Sequence, residues 1–140
     1  IKTITLNEDQ ASNLNLKSGE SKSAYINSKN ESSYKEFMFS GTSCESKIDF
    51  SFKNSMDLDI RDLKNKYDLI FIDGGHTYSI IKNDSEKALE MIKKNGYIFW
   101  HDYTPNKSST KDVFKYLNSL SKKINIYHIK DTNMCFYKKE

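Results

Sequence analysis

Two short polar clusters hold the residue types that do chemistry. The first is Asp73-Gly74-Gly75-His76 and the second is His101-Asp102-Tyr103. Together they offer two carboxylates and two imidazoles. Asp73 and Asp102 could bind a hard cation such as Mg²⁺, with water completing the coordination. His76 or His101 could act as general base, because imidazole exchanges protons near neutral pH. The Gly74-Gly75 pair would let a ligand approach the backbone closely. Each cluster alone also has a plainer reading. Asp73 could cap a turn or the next helix, and Asp-Gly-Gly is common turn chemistry. The histidines and Asp102 could be solvated loop residues.

The elements around the clusters argue for reading them as a pair. Tyr67–Asp73 (YDLIFID) contains a continuous apolar run, which fits a strand covered on both faces of a parallel sheet. From Ser79 to Lys94 the spacing is helical, with Ile81, Ser85, Ala88 and Ile92 on one face. Asn95-Gly96 is a helix stop. Tyr97–His101 (YIFWH) is a second buried strand. Strand, helix and strand in this order predict a right-handed βαβ unit. Both clusters then fall outside the carboxyl ends of neighbouring strands, where open α/β sheets place their ligands.

The rest of the chain frames this unit. Ile1–Leu6 and Lys47–Phe52 alternate apolar and polar residues and predict strands. Ser12–Ser33 is rich in Ser, Asn and Lys, which predicts a flexible loop, either a lid or a disordered insertion. Short helices are expected over Glu31–Phe39 and Asp57–Lys64. Thr110–Lys122 reads as an amphipathic helix with Val113, Phe114, Leu117 and Leu120 inward. Asn125–Lys130 and Asn133–Lys138 read as an antiparallel hairpin across Asp131-Thr132.

Composition limits the function classes. The 140 residues suit one domain, 1–140, and 13% aromatic residues can build a core. The net charge of +3 is too small, and its lysines too scattered, to indicate nucleic acid. No run of eighteen apolar residues marks a membrane span. No signal-peptide pattern opens the sequence, and Ile1 as first residue suggests a fragment or a processed product. Cys44 and Cys135 read as two free thiols in a reducing, cytoplasmic setting.

At the two clusters the sequence resembles a known family. The stretch YDLIFIDGGHTYSIIKNDSEKALEMIKKNGYIFWHDY is similar to the second half of a class I S-adenosylmethionine-dependent methyltransferase, in the group called methyltransferase family 24. The shared motifs are Asp73–His76, Asp84-Ser85 and His101–Tyr103, and the tail YHIKDTNMCFYKK resembles the family's last two strands. The resemblance implies an α/β fold with a Rossmann-like, mostly parallel sheet and a C-terminal antiparallel hairpin. It implies O-methylation of a sugar or other small-molecule hydroxyl. S-adenosylmethionine would be the cofactor, with Mg²⁺ held by Asp73 and Asp102, as in related sugar O-methyltransferases. His76, His101 and Asp102 would be catalytic. Asn54 and Ser55 match the family's Asp-Ser pair near the adenine, with Asn in place of Asp, and join Asp73, Gly74 and Gly75 in binding the cofactor.

The front of the chain departs from the family pattern. No glycine-rich loop is present, and Ile1–Leu6 resembles the family's second strand. The first strand and first helix are therefore expected to be missing, and with them half of the cofactor pocket. Weak cofactor binding follows. Thr5 stands where an acid usually holds the ribose, with Glu8 or Asp9 as substitutes. An unfilled sheet position also favours a homo-oligomer. The alternatives are a non-catalytic binding or assembly module on the same fold, and a metal-dependent hydrolase using Asp73, His76, His101 and Asp102. Ser12–Ser33, Thr104–Ser109, Tyr78 and Tyr103 are the candidates for shaping an acceptor site.

Overall fold

The computed structural model describes residues 1–32 and 36–140. Six strands form two sheets. Strands β1 (Lys2–Thr5) and β2 (Asp49–Phe52) make a parallel pair, with Lys2 opposite Asp49 and Thr5 opposite Phe52. Strands β3 (Tyr67–Ile72), β4 (Ile92–Trp100), β5 (Tyr127–His128) and β6 (Cys135–Lys138) make the larger sheet, in the order β3-β4-β6-β5. The β3–β4 pair is parallel, while β6 runs antiparallel to both β4 and β5. The antiparallel hairpin expected at the C-terminus is thus present. It is shorter than the apolar pattern suggests, and residues 129–134 turn between its strands.

Helices α3 (Tyr78–Met91) and α4 (Lys111–Leu120) pack on one face of the larger sheet. Their apolar stripes explain this. Ile81, Ser85 and Ala88 of α3 are buried, as are Val113, Tyr116, Leu117 and Leu120 of α4. They close over Ile72, Ile92, Ile98 and Trp100 of the strands. Burying an aliphatic side chain of this size contributes roughly 1.5–3 kcal/mol. Ser85 is the one polar member of the α3 stripe. It accepts the Trp100 indole N–H at 2.9 Å and donates to the Ile81 carbonyl at 2.7 Å, so neither buried polar group is orphaned.

Several sequence expectations need correction. The segment 12–33 is not simply a flexible loop. It contains α2 (Lys22–Glu31), whose N-cap Ser21 accepts the Ala24 N–H. Its polar composition hides the helix because most of its surface faces water. Upstream lies a short helix, α1 (Glu8–Ser12), capped by Asn7. The helix expected over Glu31–Phe39 falls partly outside the described residues; Glu31 ends α2 and residues 38–40 form a turn. A single 3₁₀ turn at Ser55–Asp57 stands near the helix expected over Asp57–Lys64. Helix α3 ends at Met91, and β4 begins at once with Ile92. Asn95 sits at φ 63 inside that strand, where the β3–β4 register shifts. Gly96 follows because a Cβ there would meet the Asp68 carbonyl oxygen at 2.9 Å.

The continuous run in β3 predicts cover on both faces, and among the described residues only one is covered. Ile70 and Ile72 face the helices, while Leu69 and Phe71 stand 59% and 50% exposed on the other side. Among the described residues no ladder joins the two sheets. The break falls between β1 and β3, where the family resemblance places the missing first strand. A groove of about 500 Å³ occupies it, lined by both facing strand edges and floored by α3 residues including Ile80, Asp84 and Ala88.

Candidate functional site

The β3–β4 register decides the site. Ile72 lies opposite Trp100, so both strands end at the same level. The His101 N–H donates to the Ile72 carbonyl at 3.1 Å, which holds the two exits together. Asp73 and His101 therefore emerge side by side. Asp102 then turns sharply at φ 63, a left-handed conformation that Asp tolerates better than most residues. That turn brings its carboxylate back under the histidines.

His101 Nδ1 lies 3.1 Å from Asp73 Oδ1 and 3.2 Å from Asp102 Oδ2. These are ion-pair separations that do not meet hydrogen-bond geometry, so this fully buried nitrogen has no hydrogen-bond partner among the described residues. His76 Nε2 lies 2.9 Å from Asp102 Oδ2, and both side chains are nearly buried. One oxygen of Asp102 thus serves both imidazoles. Asp73, His76 and Asp102 each offer a ligand atom within 4.8 Å of the others.

The two histidines differ in what they can do. Asn27 Nδ2 on α2 approaches His76 Nδ1 at 3.4 Å and also donates to Glu31 Oε1 at 2.8 Å. The Glu31 bond fixes the amide, so His76 Nδ1 accepts and Nε2 carries the proton toward Asp102. The His76 N–H points to Ser28 Oγ at 3.3 Å, again on α2. His76 is engaged on both ring nitrogens and only 5% exposed. His101 is one-third exposed, and its Nε2 makes no hydrogen bond among the described residues.

Helix α2 is held over the site by two carboxylates that the sequence reading missed. Asp112 is buried, and its Oδ2 accepts the Ser21 N–H at 2.9 Å and the Tyr78 N–H at 3.3 Å. Glu20 accepts the Ser79 N–H at 2.7 Å. Thr77, the α3 N-cap, makes no side-chain cap bond, so these acids satisfy the helix's first N–H groups instead. Partial burial would raise the Glu20 pKa, but hydrogen bonds from Ser79 and Lys17, with the Lys17 charge, outweigh it and lower it. The sequence signal was available in Ser21, a good cap before a helix with no apolar stripe.

All five residues expected at the cofactor, Asn54, Ser55, Asp73, Gly74 and Gly75, line the groove between β1 and β3. Thr5 lines it as well, whereas Glu8 and Asp9 open α1 and do not. Its volume lies within the ~300–1,000 Å³ of small-molecule sites. Asn54 Oδ1 is spent on the Met56 N–H, and the Ser55 carbonyl is tied to α3 by Asn83 Nδ2 and Lys87 Nζ. Gly74 and Gly75 are hemmed in: a Cβ on Gly75 would reach Ile80 at 2.8 Å and Ser28 Oγ at 3.2 Å. Asp84 sits beneath Gly74. Burial raises its pKa, against the hydrogen bonds of Ser55 and Asn83 and the Lys87 charge. Tyr78 packs on Tyr116, and Tyr103 packs on Phe114 and His128 while bonding Asn118. Both aromatics therefore serve packing.

The donor chemistry tests the expected Mg²⁺. That ion takes oxygen ligands in an octahedron. Here an ion touching Asp73 Oδ1 and Asp102 Oδ2 also meets the Nδ1 of His101. The set does not fit Mg²⁺.

Strand ends, groove and cluster together describe a Rossmann-like class I methyltransferase architecture. The sequence model of the methyltransferase-domain family 24 matches residues 6–103, and the chain belongs to that family. A solved structure with a similar fold is a presumptive caffeoyl-CoA O-methyltransferase from Staphylococcus aureus. It is 16% identical with a TM-score of 0.60, and the match covers 99% of this chain and 64% of that one. The chain thus spans less than two thirds of that protein's length, and at this identity the likeness concerns fold alone. No curated protein sequence matches the chain. Among the described residues, no helix is long and apolar enough to cross a membrane.

Proposed function

We propose that this chain carries the methyl-donor groove and the acceptor-side cluster of an S-adenosylmethionine-dependent O-methyltransferase acting on a sugar or other small-molecule hydroxyl. One observation carries the reading. Asp73 belongs to both the groove and the cluster, so a ligand in the groove ends beside His101 and Asp102. S-adenosylmethionine would supply an electrophilic methyl on a sulfonium centre. Asn54, Ser55 and the Gly74-Gly75 backbone would orient it. His76 is committed on both nitrogens, so removal of the acceptor proton falls to the Asp73–His101–Asp102 group. With the donor bound, its methyl would pass to the acceptor oxygen as the carbon–sulfur bond broke, and S-adenosylhomocysteine would be the leaving product. Positioning supplies most of the acceleration in such an in-line transfer.

Ligand-observed NMR with S-adenosylmethionine tests this, because saturation transfer detects millimolar affinity. Contact is expected at the adenine and methyl protons, with affinity weaker than micromolar because the groove is open along two unpaired strand edges. Asp73→Ala is expected to reduce the methyl signal. Absence of transfer at millimolar ligand, or transfer unchanged by Asp73→Ala, would overturn the reading.

A further inference from the structure

The geometry points to a first-row transition-metal site, selective against Mg²⁺, formed by Asp73, Asp102 and the Nδ1 of His101, with His76 flanking it. This rests on the cluster alone and holds whether or not the groove takes a methyl donor.

The first argument is the orphaned nitrogen. His101 Nδ1 is fully buried, has no hydrogen-bond partner among the described residues and lies between two carboxylate oxygens at 3.1 and 3.2 Å. A buried polar atom in this state calls for an explanation, and a bound ion is a standard one. The second is spacing. Ligands at right angles around an ion, each about 2.1 Å from it, are separated by about 3.0 Å. The separations of 3.1 and 3.2 Å from His101 Nδ1 to these carboxylates match that value. The third is charge. Two carboxylates converge here, and the only ion-pair partners described for either are the two histidines. A divalent cation would balance both.

Donor type then selects the ion. Mg²⁺ demands oxygen and dehydrates reluctantly, whereas an imidazole nitrogen beside carboxylates suits Mn²⁺, Co²⁺, Ni²⁺ or Zn²⁺. Geometry supports ligation by His101 before His76. The Asn27 contact places the His76 proton on Nε2, so that N–H faces Asp102 Oδ2 across the 2.9 Å ion-pair contact.

Co²⁺ is the probe, because its visible spectrum changes when nitrogen enters the coordination sphere. The untagged full chain is titrated in a Cys44→Ser background, which removes the exposed thiol. One equivalent is expected to bind, with a hundredfold excess of Mg²⁺ failing to displace it. His101→Ala should weaken Co²⁺ at least tenfold and alter the spectrum. His128→Ala, the third histidine, should change neither. His101→Asp, an all-oxygen set, should let Mg²⁺ compete, and it keeps the test alive if the alanine variant is unfolded by circular dichroism. Displacement of Co²⁺ by equimolar Mg²⁺, a wild-type response in His101→Ala, or no Co²⁺ binding at millimolar concentration would each overturn the inference. None of these outcomes touches the methyl-donor test, which reads a different ligand.

Discussion

The 2.9 Å ion-pair contact between His76 Nε2 and Asp102 Oδ2 should be worth measuring in isolation, because it involves the carboxylate that the rest of the cluster shares. The perturbation is a double-mutant cycle of His76→Ala, Asp102→Ala and the pair. The 2.9 Å contact joins side chains that are 6% and 11% exposed, so solvent screens it little. A hydrogen bond to a charged group contributes about 1.5–3 kcal/mol net. Asp102→Ala also forces alanine into φ 63, which costs about 1–2 kcal/mol. The single variant is therefore expected to lose about 2.5–5 kcal/mol. The cavity and backbone penalties recur in the double variant and cancel. What remains is a coupling of about 1.5–3 kcal/mol, with the wild type more stable than additivity requires. Trp100 is the single tryptophan and fully buried, so its fluorescence reports urea unfolding directly. At about 4 °C per kcal/mol for a chain of this size, the coupling corresponds to about 6–12 °C in Tm. A coupling below about 0.5 kcal/mol would show that the two residues act independently.

Two further outcomes follow from buried polar groups. Ser85→Ala should orphan the Trp100 indole N–H and cost about 1–3 kcal/mol, read from Tm. Adding Trp100→Phe to that variant should then cost less than Trp100→Phe does in the wild type. Asp84 has a folded-state pKa raised by burial, so the native protein holds that proton more tightly than the unfolded chain. Its effect on stability is therefore unfavourable and grows as pH rises through the folded pKa. Asp84→Asn should match the wild type below the ordinary carboxylate range and exceed it increasingly as pH rises above that range, levelling off beyond the folded pKa, in thermal melts across pH. A constant difference would contradict the sign.

Much of the site was legible because hydrophobic runs locate strand ends. YDLIFID and YIFWH fixed where β3 and β4 stop, and parallel pairing then set Asp73 beside His101. The helical stripe of Ile81, Ser85 and Ala88 was equally plain. What stayed hidden depends on long-range contacts. Helix α2 carries almost no apolar periodicity, and its docking rests on Glu20 and Asp112, the latter 91 residues from its Ser21 partner. No local pattern announces such a bond. The different roles of His76 and His101 were hidden for the same reason, since Asn27 distinguishes them only once α2 lies over the site. The end of α3 was misread because Asn95-Gly96 is good punctuation in either context. Here it serves a strand that bends at φ 63.

The β1–β2 pair has a mechanical meaning. Among the described residues no ladder connects it to the larger sheet, and its ties to α3 run through Lys87 Nζ and Asn83 Nδ2 to the turn at Ser55–Asp57. A rung of sheet is stiff, whereas a lysine tether is compliant. The pair is thus tied to α3 by side chains, and no backbone rung among the described residues sets the groove width. Amides of β1 should exchange with solvent well before those of β4, whose central residues Ile98 and Trp100 are sealed on both sides by neighbouring strands. Support is then expected to be graded along a ligand in the groove: firm at the Asp73 end, where β3 and β4 are laddered, and softer along β1.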